Sequence, residues 1–214
     1  MNLEVGKGRS PDSSCLIVGL GNPGDRYART RHNVGYRTVE WAAARWAIPL
    51  KPIGVARQGR GLVGPPDRRI DVTLALPLAW MNQSGPAVKA MVEALGLSAE
   101  QVPDHVIVVH DDLDLPLGRL RIKRRGGPGG HNGILSLITT LDTDEFCRVK
   151  LGVGRPPAGM DSADYVLAPF MAEEAPRVDA MVEQAVLALE CLLADGVAAA
   201  MNRFNAKEPI ADGE

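Results

Sequence analysis

The chain has 214 residues, 45% of them hydrophobic, which is enough to bury one sizeable core and, on length, one domain rather than two. Its formal net charge is −2, so it lacks the basic excess of a protein that coats nucleic acid indiscriminately, and any nucleic-acid site has to be a local patch. Three cysteines, Cys15, Cys147 and Cys191, are far apart and form no CxxC pair of the kind that ligates zinc or cycles redox state, which fits a reducing cytoplasm.

Residues 1–14 hold no apolar run long enough for a signal peptide, and no later stretch approaches the length of a membrane span. They read as a flexible segment ahead of a domain at 15–205, with a flexible tail at 206–214. Residues 15–20 form a short apolar run that stops at Gly21, Asn22, Pro23 and Gly24, the pattern of a buried strand ending in a turn. A helix over 34–47 follows from the spacing of Val34, Val39, Ala42, Ala43 and Trp46, with Pro49 as its stop. Strand-like alternation over 55–63 and 70–76, joined by Gly64, Pro65, Pro66 and Asp67, predicts a hairpin. A helix over 85–95 closes at Gly96, and the continuous apolar run 106–109 suits a strand covered on both faces in mid-sheet. Residues 119–123 alternate basic and apolar, 134–141 have helical spacing, 148–153 are strand-like, and the last helix is expected over 173–194.

Strands alternating with helices predict an α/β fold: one three-layer α/β/α sandwich around a mixed, mostly parallel sheet. Ligands of such sheets settle at the carboxyl ends of the strands, where Asn22, Asn82 and Asp111 fall.

Gly19 to Gly24 also matches GxGxxG, with Glu40 roughly where a dinucleotide site needs an acid. Pro23 removes an amide that would face a pyrophosphate, and residues 25–31 are too polar to open a helix packed on a sheet, so the glycines are read as shaping a turn that presents Asn22. His32 and Asn33 lie in a polar loop outside any apolar stripe; an imidazole there titrates near neutrality and suits a general base. His110 with Asp111, Asp112 and Asp114 offers a rival cation site, but the other histidines lack metal-ligand spacing. One carboxylate at a strand end suffices to orient a base, so Asp111 is taken for that role, with Asp112 and Asp114 solvated and no metal or cofactor expected.

Arg119, Arg121, Lys123, Arg124 and Arg125 run directly into the glycine-rich segment 126–133 at the mouth of a predicted helix. A charge run alone is usually a solvated face. Cations beside close glycine backbone and helix-start amides make a phosphate site, which Lys150 can also reach from the next strand. Aromatic residues make up only 4% of the chain, so recognition of a nucleic acid should rest on phosphate and shape more than on base stacking.

Six motifs now stand in order: GLGNPG, Tyr27, TRHNVG, MNQSG, HDDLDLPLG and GGPGGHNG. Together, over residues 16–204, they resemble the bacterial-type peptidyl-tRNA hydrolases. That resemblance implies an ester hydrolase acting on peptidyl-tRNA, with His32 as the base that activates water and Asp111 orienting it. It implies that Asn22 and Asn82 position the peptide end, that Asn132 steadies the attacking water or oxyanion, and that Tyr27, Met81 and His131 line the same cleft. Lys123 and Lys150 resemble the family's clamp on the 5′-phosphate of tRNA, although Lys150 stands where the family often has arginine, and Pro128 stiffens the glycine segment. A monomer is the default expectation, and a non-catalytic RNA-binding protein of the same fold is the alternative.

Overall fold

The computed structural model describes residues 14–205. In chain order the elements are β1 (Cys15–Gly19), α1 (Val34–Arg45), β2 (Lys51–Ile53), β3 (Ala56–Val63), β4 (Ile70–Pro77), α2 (Ser84–Ala94), α3 (Val102–His105), β5 (Val106–Asp112), β6 (Leu120–Lys123), α4 (Asn132–Leu141), β7 (Cys147–Gly152), α5 (Ser162–Leu167) and α6 (Ala175–Phe204). The expected flexible segments at 1–14 and 206–214 lie outside the described residues, Ser14 excepted.

The strands form one seven-stranded sheet in the order β2-β3-β4-β1-β5-β7-β6. Strands β4, β1, β5 and β7 pair in parallel, while β3 and β6 run against their neighbours, so the sheet is mixed and mostly parallel in direction. The predicted hairpin is β3 and β4, with Ala56 opposite Pro77 and Val63 opposite Ile70. Alternation sorts the side chains of β5 to two faces. Ile107 and Val109 join the core under α1 and α6, and Val106 and Val108 join the core under α2 and α4. Burying one such side chain fully stabilises the fold by about 1.5–3 kcal/mol before entropy is counted, which is why a continuous apolar run sits in mid-sheet.

Four elements departed from expectation: the short helices α3 and α5 and strand β2 were not foreseen, and α6 runs past its expected stop. All three residues of strand β2, Pro52 among them, are exposed, so it has neither alternation nor a buried face to announce it. Helix α6 extends ten residues past the predicted stop, through Gly196, whose φ of 82° and ψ of 177° break the helical path without ending it. With the turn before it, this helix is long and apolar enough by length and composition to cross a membrane, contrary to the sequence expectation. Its apolarity has a local cause: Val178, Met181, Val182, Ala185 and Leu189 are all fully buried against the sheet. Its outer side carries Asp179 and Glu190, which pair with Arg37 and Arg45 of α1.

The start of α1 sits unusually deep. A Cβ on Gly35 would collide with the carbonyls of Val109 and Leu20, and one on Gly19 would collide with the carbonyl of Gly35. These two glycines let helix and strands touch backbone to backbone, and Gly21 similarly makes room for the Tyr36 ring. The GxGxxG pattern is thus a packing device as well as a turn.

Candidate active site

The parallel strands β4, β1 and β5 end side by side, and Asn82, Asn22 and Asp111 gather at that end in a cleft of about 690 Å³. Of the residues expected to form the site, Asn22, Tyr27, His32, Met81, Asn82, Asp111, His131, Asn132 and Lys150 all line this cleft; Lys123 does not. It lies on β6, exposed, opposite Arg148 of β7.

His32 belongs to a single 3-10 turn, Arg31–Asn33, and is only 8% exposed, which corrects the expectation of an open polar loop. The turn sinks because Gly19 and Gly35 allow it, and because Arg31 anchors it: its guanidinium pairs with Glu174 at 2.8 Å, donates to the Pro169 carbonyl at 2.6 Å and lies over the Tyr165 ring. At that depth His32 Nδ1 lies 2.9 Å from both oxygens of Asp111.

His131 Nε2 lies 2.9 Å from the same Asp111 Oδ1, while its Nδ1 accepts the amides of Gly133 and Ile134 at 3.1 and 3.2 Å. A ring nitrogen that accepts two amides carries a lone pair, so the proton of the neutral ring is on Nε2 and is donated to Asp111. Asp111 is 2% exposed. Burial alone would raise its carboxyl, but the attraction and hydrogen bonds of His32 and His131 outweigh that and hold it below the usual carboxylate range. An ionised Asp111 fixes the proton of His32 on Nδ1 and leaves Nε2 as the ring's acceptor.

Asn22 is held on three sides. Its amide donates to Asn33 Oδ1 and its carbonyl accepts from Asn33 Nδ2, each at 2.9 Å, and its side-chain Oδ1 accepts the Met81 amide at 2.8 Å. With Oδ1 spent on Met81, the Nδ2 group is what Asn22 has left to offer. Asn33, 3% exposed, is the orienting residue that sequence reasoning had no role for, although it stands inside the TRHNVG motif. Tyr27 stacks edge-on against Trp80 at the rim, with ring centroids 5.7 Å apart.

The acidic group expected as a rival cation site divides. Asp112 is buried and ion-pairs with Lys150, so it is not solvated as the sequence suggested; Asp114 is exposed and pairs with Arg155. His110 donates from Nδ1 to the Asp111 carbonyl at 2.7 Å. Among the described residues, those close enough to share an ion are instead His32, Asp111 and His131, with ligand atoms within 4.8 Å of one another. Their hydrogen bonds place a proton on each nitrogen that faces Asp111, which is the chemistry of an oriented base.

Two features of the expected phosphate site need correction. The amides of Gly133 and Ile134 at the mouth of α4 are taken by His131, because the N-cap position puts its ring over them. Of the five cations in the basic run, Arg119 donates to the Asn205 carbonyl, Arg124 pairs with Asp104 and Arg125 with Glu145. Arg121 and Lys123 remain exposed on β6, without a carboxylate partner among the described residues. The buried Arg148, which the sequence did not flag, donates to the carbonyls of Gly127 and Asp144 and so ties the glycine segment to β7.

A family model described as peptidyl-tRNA hydrolase matches residues 16–211. A Synechococcus sp. protein of that name is 45% identical over 192 residues, spanning 89% of this chain and 82% of its own. A Bacillus subtilis protein of the same name is 42% identical over 193 residues, spanning 90% and 98%. The crystal structure of peptidyl-tRNA hydrolase from Acinetobacter baumannii superposes with a TM-score of 0.82 at 34% identity, covering 95% of this chain and all of that one.

Proposed function

We propose, from the premise that this chain belongs to the bacterial-type peptidyl-tRNA hydrolase family and hydrolyses the ester joining peptide to tRNA, that His32 is the general base and water the nucleophile. The observation that carries this is the pair of 2.9 Å contacts between His32 Nδ1 and a buried, ionised Asp111. Nε2 takes a proton from water as the oxygen attacks the ester carbonyl. The electron pair moves to the carbonyl oxygen, where the side chain of Asn132 donates. Collapse expels the ribose 3′ oxygen of tRNA, which recovers the proton from His32. A positioned base is worth about 10²- to 10⁴-fold, and one oxyanion donor about 10²- to 10³-fold, so this set needs no acyl-enzyme.

Asn22 and Asn82 would bond to the peptide amide, Tyr27 and Met81 line the cleft about it, and His131 fixes Asp111. Lys123 and Lys150 would meet the 5′-phosphate, with Lys123 the freer of the two because Asp112 already holds Lys150. Residues 15–205 act as one catalytic domain, as a monomer in the cytoplasm. The test is release of product from an N-blocked aminoacyl-tRNA against the unblocked form. Faster release from the blocked form is expected, because a charged α-amino group cannot imitate a peptide amide; equal rates would overturn the assignment of the asparagines.

A further inference from the structure

Strand β6 is the edge of the sheet, bonded on one side only, to β7. An edge strand of four residues normally leaves its outward amides and carbonyls to water. In this chain the residue that follows α6 takes those of Ile122. Asn205 Oδ1 accepts the Ile122 amide at 2.7 Å, its Nδ2 donates to the Ile122 carbonyl at 3.0 Å, and Arg119 closes the contact by donating to the Asn205 carbonyl at 2.8 Å. One side-chain amide thus acts as a one-residue strand.

Ile122 is the residue between Arg121 and Lys123. Its side chain points into the core and theirs point out on the opposite face, where Arg121 stands across from Lys150 and Lys123 across from Arg148. Like charges directly opposite on one sheet face repel, so this end of the sheet has a reason to fray unless something holds it. Gly196 delivers the holder: φ of 82° with ψ of 177° is a conformation that only glycine adopts readily, and it redirects the last turns of α6 onto β6.

We infer that Asn205 is a positioning residue for tRNA: by clasping Ile122 it fixes the register and reach of Arg121 and Lys123. This rests on the reading that the basic strand grips the nucleic acid, and the two can be tested apart.

The experiment measures KM and kcat on N-blocked aminoacyl-tRNA, and hydrogen exchange at the Ile122 amide, for wild type, Asn205→Ala, Asn205→Asp and Lys123→Ala. Asn205→Ala should speed exchange at Ile122 and raise KM by about threefold to tenfold, the effect of one or two hydrogen bonds, while kcat stays within about twofold. Asn205→Asp keeps an acceptor for the Ile122 amide but sets a carboxylate oxygen against the Ile122 carbonyl, so it should raise KM at least as much as alanine does, and it carries the comparison should the alanine variant not fold. A raised KM in Lys123→Ala beside an unchanged KM in both Asn205 variants would overturn the clasp and leave the basic strand in place. A loss in kcat as large as the change in KM would make Asn205 merely structural and also overturn it. An unchanged KM in Lys123→Ala would remove the basic-strand reading and the clasp together.

Discussion

Asp111 Oδ1 accepts from His131 Nε2 at 2.9 Å, so the carboxylate that orients His32 has a second imidazole on one of its own oxygens. The pair makes Asp111 a shared acceptor held from two directions. Asp111→Asn replaces that acceptor with an amide that has one carbonyl oxygen for two donors. Turnover should fall on the order of 10²- to 10⁴-fold with KM little changed, measured in single-turnover hydrolysis.

His131 has two tasks that substitution can separate. Alanine removes both the second donor to Asp111 and the cap of α4, and loss of a cap costs about 0.5–2 kcal/mol. Asparagine keeps a capping oxygen but is too short to reach Asp111 as the ring does. Urea unfolding should therefore show His131→Asn more stable than His131→Ala, while both lose activity.

His110 predicts a pH dependence of stability. It is 3% exposed; burial first, then the neighbouring His131, hold its imidazole well below the ordinary value, against the opposing pull of Asp111. As pH falls through about 6.5 the unfolded chain takes up this proton and the folded chain does not, so stability is lost toward acid at up to about 1.4 kcal/mol per pH unit. In His110→Gln the slope of unfolding free energy between about pH 7 and pH 5 should be flatter by roughly that amount. Equal slopes would show that the folded protein protonates His110 readily.

Lys123 and Lys150 should differ. Lys150 is tied to Asp112, whereas Lys123 is exposed. Lys123→Ala should weaken tRNA binding uniformly across tRNA sequences and lower the slope of log K against log salt by about 1. The change for Lys150→Ala should be smaller. Filter binding over a range of salt concentrations distinguishes them.

Much of the site was legible because it sits at strand ends. Asn22 and Asp111 each follow an apolar run, and parallel strands bring such ends together without further information. What the sequence concealed depends on distance. Nothing local shows that Asn33 reaches back to clamp Asn22, that His131 turns one nitrogen to α4 and the other to Asp111, or that Asp112 turns to Lys150. The end of α6 was missed for a different reason: Asp195 and Gly196 look like a helix stop, and only packing on β6 carries the chain onward to Asn205.

The most direct test of the mechanism is single-turnover hydrolysis of N-blocked aminoacyl-tRNA by His32→Ala, with tRNA affinity measured on the same protein. The cleavage rate should fall by about 10²-fold or more while affinity stays close to wild type, because Nε2 of His32 moves the proton and does not hold the tRNA. Cleavage at an undiminished rate without the imidazole would contradict the account.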